Sequence, residues 1–339
     1  MKATSAAAVQ NGPITRIEFP GLFDLQVNGF GGVDFNNPSI DREDVNKAIQ
    51  AMMATGVTRL LPTLITSSFD RFAKCARTLT RSRFPGIIGI HMEGPYINGE
   101  DGPRGAHSRE HVIGASIDDF ARRQEAANGQ IRLVTLAPEA PGAMQLIEHL
   151  AGRGVRVAIG HTAASPEQIR DAVSAGATLS THLGNGCAQS LPRHPNFIWE
   201  QLAPDELFAS LIVDGHHLPA ATVKAMVRAK SPERIMLVTD ATAAAGCAPG
   251  MYELNGERVA LHDDGRVSPP GKPWLAGSAL TLIRAVVNTI KFTGLPLQAV
   301  LPMASSHPAK YLNMEMAGRV TADWDAGQCQ LLNIKVCAE

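Results

Sequence analysis

Residues 155–182 read VRVAIGHTAASPEQIRDAVSAGATLSTH. The apolar run Val155–Gly160 predicts a strand, Pro166–Ala175 a helix and Thr178–Thr181 a second strand. Each strand stops at a histidine, His161 and His182. Near-continuous apolar strands separated by helices imply a parallel sheet with helices covering it. Working outward, Phe19–Val27, Thr58–Leu64, Gly86–Met92, Ile131–Leu136, Ala209–Val213 and Arg234–Thr239 read as further strands. Helical stretches separate them, among them Arg42–Thr55, Asp70–Arg81, Pro141–Gly152 and Pro219–Lys230. Eight such strands predict an α/β fold closed as a (β/α)8 TIM-type barrel rather than an open doubly wound sheet. No GxGxxG follows the first strand, which speaks against a dinucleotide fold.

After the eighth strand the pattern changes. Met251–Val267 alternates and carries turn signals at Asn255–Gly256 and Asp264–Gly265, which predicts a β-hairpin insertion. Helices return at Ser278–Thr293 and Leu297–Ser305, and the tail Gly318–Val336 reads as a few short strands. The expected division is a barrel over residues 19–311 and a small, reduced β appendage that the chain termini, 1–18 and 312–339, form together. A length of 339 residues suits one barrel with trimmings.

Composition narrows the function. Hydrophobic residues make up 45% and charged residues 19%, the formal net charge is −1, and no Lys/Arg-rich run occurs. No nucleic-acid or membrane surface is expected. Cys75, Cys187, Cys247, Cys329 and Cys337 are odd in number and scattered, which argues against a disulfide scaffold and fits a reducing compartment. The first residues lack an apolar core of the signal-peptide kind, and no run of about 18 apolar residues exists. The expected location is the cytoplasm.

In α/β barrels the active site lies at the C-terminal ends of the strands. Strand one ends in Gln26 and Asn28, strand three in Glu93, strand five in His161 and strand six in His182. Strand seven ends in Asp214 and His217, and strand eight in Asp240. Apolar runs that repeatedly stop at His, Glu or Asp are hard to explain by packing, because such residues are rarely buried without a partner. Two imidazoles and one carboxylate, here His161, His182 and Glu93, leave a zinc-like ion one open position for water, which then becomes acidic near neutral pH. Asp240, on the strand that closes the barrel beside strand one, is placed to take that proton and give it to a leaving group. One such histidine alone is more often structural than a ligand; the combination carries the reading. His91 reads as an outer partner of the metal site, and Cys187 as a small packing residue. The long Gly- and Pro-rich loop after Glu93 suits a substrate cover, with His107 as its contact residue.

The segments PGLFDLQVNG, HMEGPYIN, RGAH, IGHTAA, THLGN, DGHH, LVTDAT and LAGSALT occur in that order from Pro20 to Leu282. They resemble the motifs of the N-acetylglucosamine-6-phosphate deacetylases, a branch of the amidohydrolase superfamily. The resemblance implies hydrolysis of the acetamide of a phosphorylated amino sugar to the free amine and acetate. It implies one divalent metal ion, with zinc as the default, on Glu93, His161 and His182, and Asp240 as general base and acid. It implies that Ala106 and His107 contact the sugar, with His107 polarising the acetamide carbonyl, and that Asn185 and Gly186 bind the substrate. Arg193 and His217 become the phosphate pair, shared across a homodimer interface, and Leu275, Ala276 and Gly277 line the acetyl pocket. Gln26 and Asn28 stand where many amidohydrolases carry HxH for a second metal. They are poor ligands beside imidazole, so a single-metal site with Gln26 and Asn28 in its outer shell is expected.

Two local differences keep a second reading open. The family often has H-x-x-N-A-M where this chain has His182-Leu183-Gly184-Asn185-Gly186-Cys187, and Arg193 lies in Pro192-Arg193-His194-Pro195 rather than beside a glycine. The alternative keeps the mechanism and takes a non-phosphorylated N-acyl or cyclic amide. A barrel retained only as a scaffold is the third reading, and the complete set of ligands and base speaks against it.

Overall fold

The computed structural model describes residues 14–82, 84–254, 257–272 and 274–337. Eight strands form one parallel sheet, paired in chain order: Leu22–Val27, Val57–Ile65, Ile90–Glu93, Ile131–Leu136, Arg156–Ile159, Leu179–Ser180, Phe208–Leu211 and Ile235–Leu237. The last returns to the first. Val27 bridges Ala241, the Asp240 N–H donates to the Gln26 carbonyl at 2.8 Å, and the Asn28 N–H donates to the Ala241 carbonyl at 2.7 Å. Asp24 of strand one fastens the same seam, accepting from the Thr239 hydroxyl at 2.5 Å. The sheet is therefore the TIM-type barrel that the strand pattern implies. All six residues of Leu22–Val27 are buried, because one face meets the barrel interior and the other meets helices.

The unit at residues 155–182 folds as its sequence dictates. Ser165 caps the helix Pro166–Ala175: its side chain accepts from the Gln168 N–H, while the Gln168 side chain accepts from the Ser165 N–H. Pro166 opens the helix, where a missing N–H costs nothing, and Gly176 ends it with φ at 117°. The helix lies between strands five and six, and each of those strands is followed, after one intervening residue, by its histidine.

Several boundaries differ from the sequence expectation. Strand one begins at Leu22, not Phe19. Phe19 and Pro20 belong to a separate strand, Ile14–Pro20, that pairs antiparallel with Arg319–Asp325. The break falls at Gly21, where an added Cβ would lie 2.1 Å from the Thr58 hydroxyl and 2.6 Å from the Ala317 carbonyl. Strand three begins at Ile90 rather than Gly86, because the chain turns at Pro85–Gly86, where the Ile87 N–H donates to the Phe84 carbonyl at 3.0 Å, and Ile87 makes only an isolated bridge to Leu60. A helix at Ile117–Ala126, absent from the sequence reading, follows the loop after strand three. The stretch Leu297–Ser305 is a short helix, Leu297–Val300, and a 3-10 turn, Leu301–Ala304, which holds Pro302, a residue without an N–H for an α-helical bond.

Two small sheets flank the barrel. Gly250–Leu254, Glu257–Leu261 and Val267–Ser268 form an antiparallel cap in place of a simple hairpin, turning at Gly265 with φ at 89°. The turn expected at Asn255–Gly256 lies outside the described residues. At the other end, Ile14–Pro20, Arg319–Asp325 and Gln330–Cys337 make a three-stranded sheet from the chain termini. It sits where strands one and two begin, away from the strand ends that carry histidine and aspartate: Gly21 donates to Gly318, and Thr58 to Ala317. All five cysteines are free. Among the described residues, no helix is long and apolar enough to cross a membrane.

Candidate active site

The strand ends converge. Glu93, at the end of strand three, is the node: its Oε1 lies 3.2 Å from His161 Nε2 and 3.0 Å from His182 Nε2, and the two imidazole nitrogens are 3.1 Å apart. All three side chains are buried. The Pro103 carbonyl lies 2.9 Å from His161 Nδ1 and can only accept, so Nδ1 carries the proton. In the neutral ring Nε2 is then a bare lone pair aimed at the other two ligand atoms. Three donor atoms at this separation, with a carboxylate among them, fit a divalent cation. The Gln26 amide donates to the same Glu93 oxygen at 2.8 Å, so Gln26 orients the carboxylate.

Charge follows from that packing. Burial opposes ionisation of Glu93, but the imidazoles packed around it, His107, His161 and His182, outweigh burial and hold the carboxyl well below its usual range. Burial also opposes charging His182, yet the Glu93 carboxylate holds its imidazole above the ordinary value. Asp240 moves the other way. Burial, and then the charge of Glu93, push its carboxyl up to about 6, against the pull of His182, His217 and the Asn28 hydrogen bond. The Asn28 amide donates to Asp240 Oδ1 at 2.7 Å, which leaves the second oxygen for a proton.

His107 reaches the cluster from the loop after strand three. Its ring lies 4.2 Å, centroid to centroid, from that of His161, and its Nε2 is 3.6 Å from Glu93 Oε2. The Thr66 hydroxyl lies 2.8 Å from Nδ1 and the Thr66 backbone N–H points at the same nitrogen. A backbone N–H can only donate, so Nδ1 accepts and Nε2 carries the proton. Burial, then the His161 ring, lower His107 to about 4, so it is a neutral donor at physiological pH.

These groups line a cavity of about 680 Å³ at the C-terminal mouth of the barrel. Ala106, Asn185, Gly186, His217, Leu275, Ala276 and Gly277 line it as well. Gly186 lies flat on His161, where a Cβ would come within 2.8 Å of the ring. Asp214 takes a bond of 2.6 Å from His217 Nδ1, which orients that imidazole and keeps the Asp214 carboxyl low against the effect of burial. Arg193 is not brought to the cavity: it is exposed, and its backbone carbonyl accepts from Asn196. His91 points elsewhere, to Thr135 at 2.7 Å and Thr63 at 3.4 Å, so it is a buried structural histidine rather than a direct partner of the cluster. Cys187 bonds the Gly184 carbonyl.

Sequence reasoning missed Thr66, Arg71 and Arg104 in the cavity wall, and the cap residues Leu254 and Val259 above it. Thr66 follows the last residue of strand two, so the strand-end rule that found Glu93 could have found it. Arg104 stands three residues before His107 and donates to the His107 carbonyl at 2.5 Å.

A (β/α)8 barrel that gathers two imidazoles, a carboxylate and an aspartate at the mouth of its strands has the parts of a metal-dependent hydrolase. The chain belongs to the Amidohydrolase family, which it matches over residues 17–327. It is 36% identical over 302 residues to the N-acetylgalactosamine-6-phosphate deacetylase of Escherichia coli O157:H7, covering 87% of this chain and 78% of that protein. It is 34% identical over 329 residues to the human N-acetylglucosamine-6-phosphate deacetylase, covering 92% and 78%. Among solved structures, the N-acetyl-D-glucosamine-6-phosphate deacetylase of Mycobacterium smegmatis is similar with a TM-score of 0.86 at 30% identity, covering 99% of this chain and 90% of that one. A point mutant of that enzyme, solved with N-acetyl-D-glucosamine-6-phosphate, gives the same TM-score at 28% identity, covering 95% and 87%.

Proposed function

We propose that this chain hydrolyses the acetamide of N-acetylglucosamine-6-phosphate to glucosamine-6-phosphate and acetate. The observation that carries the reading is the meeting of Glu93 Oε1, His161 Nε2 and His182 Nε2 beside Asp240. The relatives named above favour the phosphosugar over a non-phosphorylated amide. Glu93, His161 and His182 would hold one divalent ion, zinc by the chemistry of the set, and Gln26 fixes the carboxylate. When bound, that ion supplies polarisation of the amide carbonyl and activation of water near neutral pH.

The chain's own residues do the rest. Asp240, ionised above about pH 6 and held by Asn28, takes the proton of the attacking water. It then hands that proton to the departing amine nitrogen. Neutral His107 donates from Nε2 to the acetamide oxygen, where negative charge develops. Leu275, Ala276 and Gly277 enclose the acetyl group, and Ala106, Asn185 and Gly186 seat the sugar. His217, oriented by Asp214, meets the phosphate; Arg193 joins it from the partner subunit of a homodimer. The protein works in the cytoplasm.

The test is acetate release from four samples: N-acetylglucosamine-6-phosphate, its galacto epimer, the unphosphorylated sugar, and the first substrate after chelation. Chelator-sensitive turnover that requires the phosphate and favours the gluco form is expected. Equal turnover of the unphosphorylated sugar overturns the phosphate assignment, and preference for the galacto form overturns the choice of sugar.

A further inference from the structure

We propose that Glu139 is a positioning residue: its carboxylate clamps the turn after His161 to the start of the covering loop, so that the ligand and the loop bearing His107 keep one geometry. The proposal rests on the metal-centre reading above.

Glu139 lies just past strand four. Its Oε1 accepts from the Ala163 N–H at 2.6 Å and from Asn98 Nδ2 at 2.8 Å, and its Oε2 accepts from the Thr162 hydroxyl at 2.5 Å. The covering loop closes the circuit. The Asn98 N–H donates to the His161 carbonyl at 2.9 Å, and the Pro103 carbonyl accepts from His161 Nδ1. Three segments that are distant in sequence thus meet on one carboxylate. The two oxygens of the side chain have accepting sites enough for all three donors.

The clamp holds something that resists being held. His161 has φ at 51°, in the left-handed region that a residue with a Cβ avoids. Such a backbone persists only where its surroundings over-determine it. Glu139 is not in the cavity lining, so any effect it has on the chemistry passes through His161 and the loop. Removing it frees the Thr162 and Ala163 donors, lets the turn relax, and moves His161 Nε2 off the point it shares with Glu93 and His182.

The experiment titrates zinc into chelated full-length protein against a chromophoric chelator and follows amide hydrogen exchange at Asn98 and Ala163. Glu139→Ala is expected to weaken zinc binding by roughly 10–100-fold, the range for partners that orient ligands, and to speed exchange at both amides. Glu139→Gln is expected to restore both, because its carbonyl still accepts from Ala163 and Asn98 and the Thr162 hydroxyl can turn to accept from the amide. Thr162→Val, which deletes one clamp donor without loss of volume, is expected to shift both readouts in the same direction by less, and serves if Glu139→Ala does not fold. A purely structural glutamate would lower the melting temperature and leave zinc affinity alone. Wild-type zinc affinity in both Glu139→Ala and Thr162→Val overturns the clamp. If the wild-type chain binds no zinc, the metal-centre reading fails on its own, and unchanged amide exchange in Glu139→Ala would overturn the clamp separately.

Discussion

Two regions of the molecule differ in construction: the cavity floor and the exposed segment that carries Arg193. Around the metal ligands, Glu93, His161 and His182 are at most 6% exposed and their donor atoms lie about a hydrogen-bond length apart. Outside the cavity lining, residues 189–195, which include Arg193, are exposed throughout. On the proposed reading, the chemical centre lies within one chain and is oriented by buried contacts, whereas the phosphate contact proposed for Arg193 depends on a side chain that solvent reaches. Damage on the first side is expected to appear in kcat, and damage on the second in KM.

Removal of the divalent ion by chelation should have the largest effect. It is expected to abolish acetate release, and zinc should restore it; turnover that survives exhaustive chelation would break the contrast at its strongest point. Asp240→Asn comes next. It keeps the shape but cannot take up the proton, so kcat is expected to fall by about 10²–10⁴-fold with the metal content unchanged. Steady-state kinetics with metal analysis checks this, and full activity in the variant would remove Asp240 from the mechanism. Arg193→Ala tests the other side. Loss of one charged hydrogen bond of about 1.5–3 kcal/mol predicts a KM for the phosphosugar raised by roughly 10–150-fold with kcat nearly constant. An unchanged KM would return Arg193 to the status of an ordinary surface residue.

The smallest effect is the pH profile. Asp240 must be ionised to act as a base, and its carboxyl is pushed up to about 6 by burial and by Glu93. A bound cation favours the carboxylate and lowers that value. Acid therefore protonates the base, and kcat/KM should fall about tenfold per pH unit below a midpoint at or under 6. A midpoint above 7 would show that another group limits the reaction.

The same contrast explains what the sequence made legible. Glu93, His161, His182 and Asp240 stand out because each ends an apolar strand, and a strand end in a barrel has a known direction. The barrel was readable for the same reason. Contacts made across the chain were not. Thr66 looks like part of a turn in ITSS until the fold brings His107 to it, and Glu139 looks like loop filler in LAPEAPG until Asn98 and Ala163 arrive. The helix Ile117–Ala126 was invisible because it buries only Phe120 and Arg123, too few positions for an apolar period. The start of strand one was misplaced because Phe19 is as apolar as Leu22, and the break depends on the close approach of Thr58 and Ala317 to Gly21.

His161, His182 and Asp240 have φ at 51°, 29° and 47°, all on the side of the Ramachandran map that suits glycine. Each such residue strains the fold by on the order of 1–3 kcal/mol. Variation screened only for heat resistance could therefore gain at these positions wherever the backbone relaxation that glycine brings exceeds the cost of the cavity it leaves. On the proposed reading such gains would cost turnover, so selection for durability has to be coupled to selection for activity to keep the two histidines and the aspartate in place.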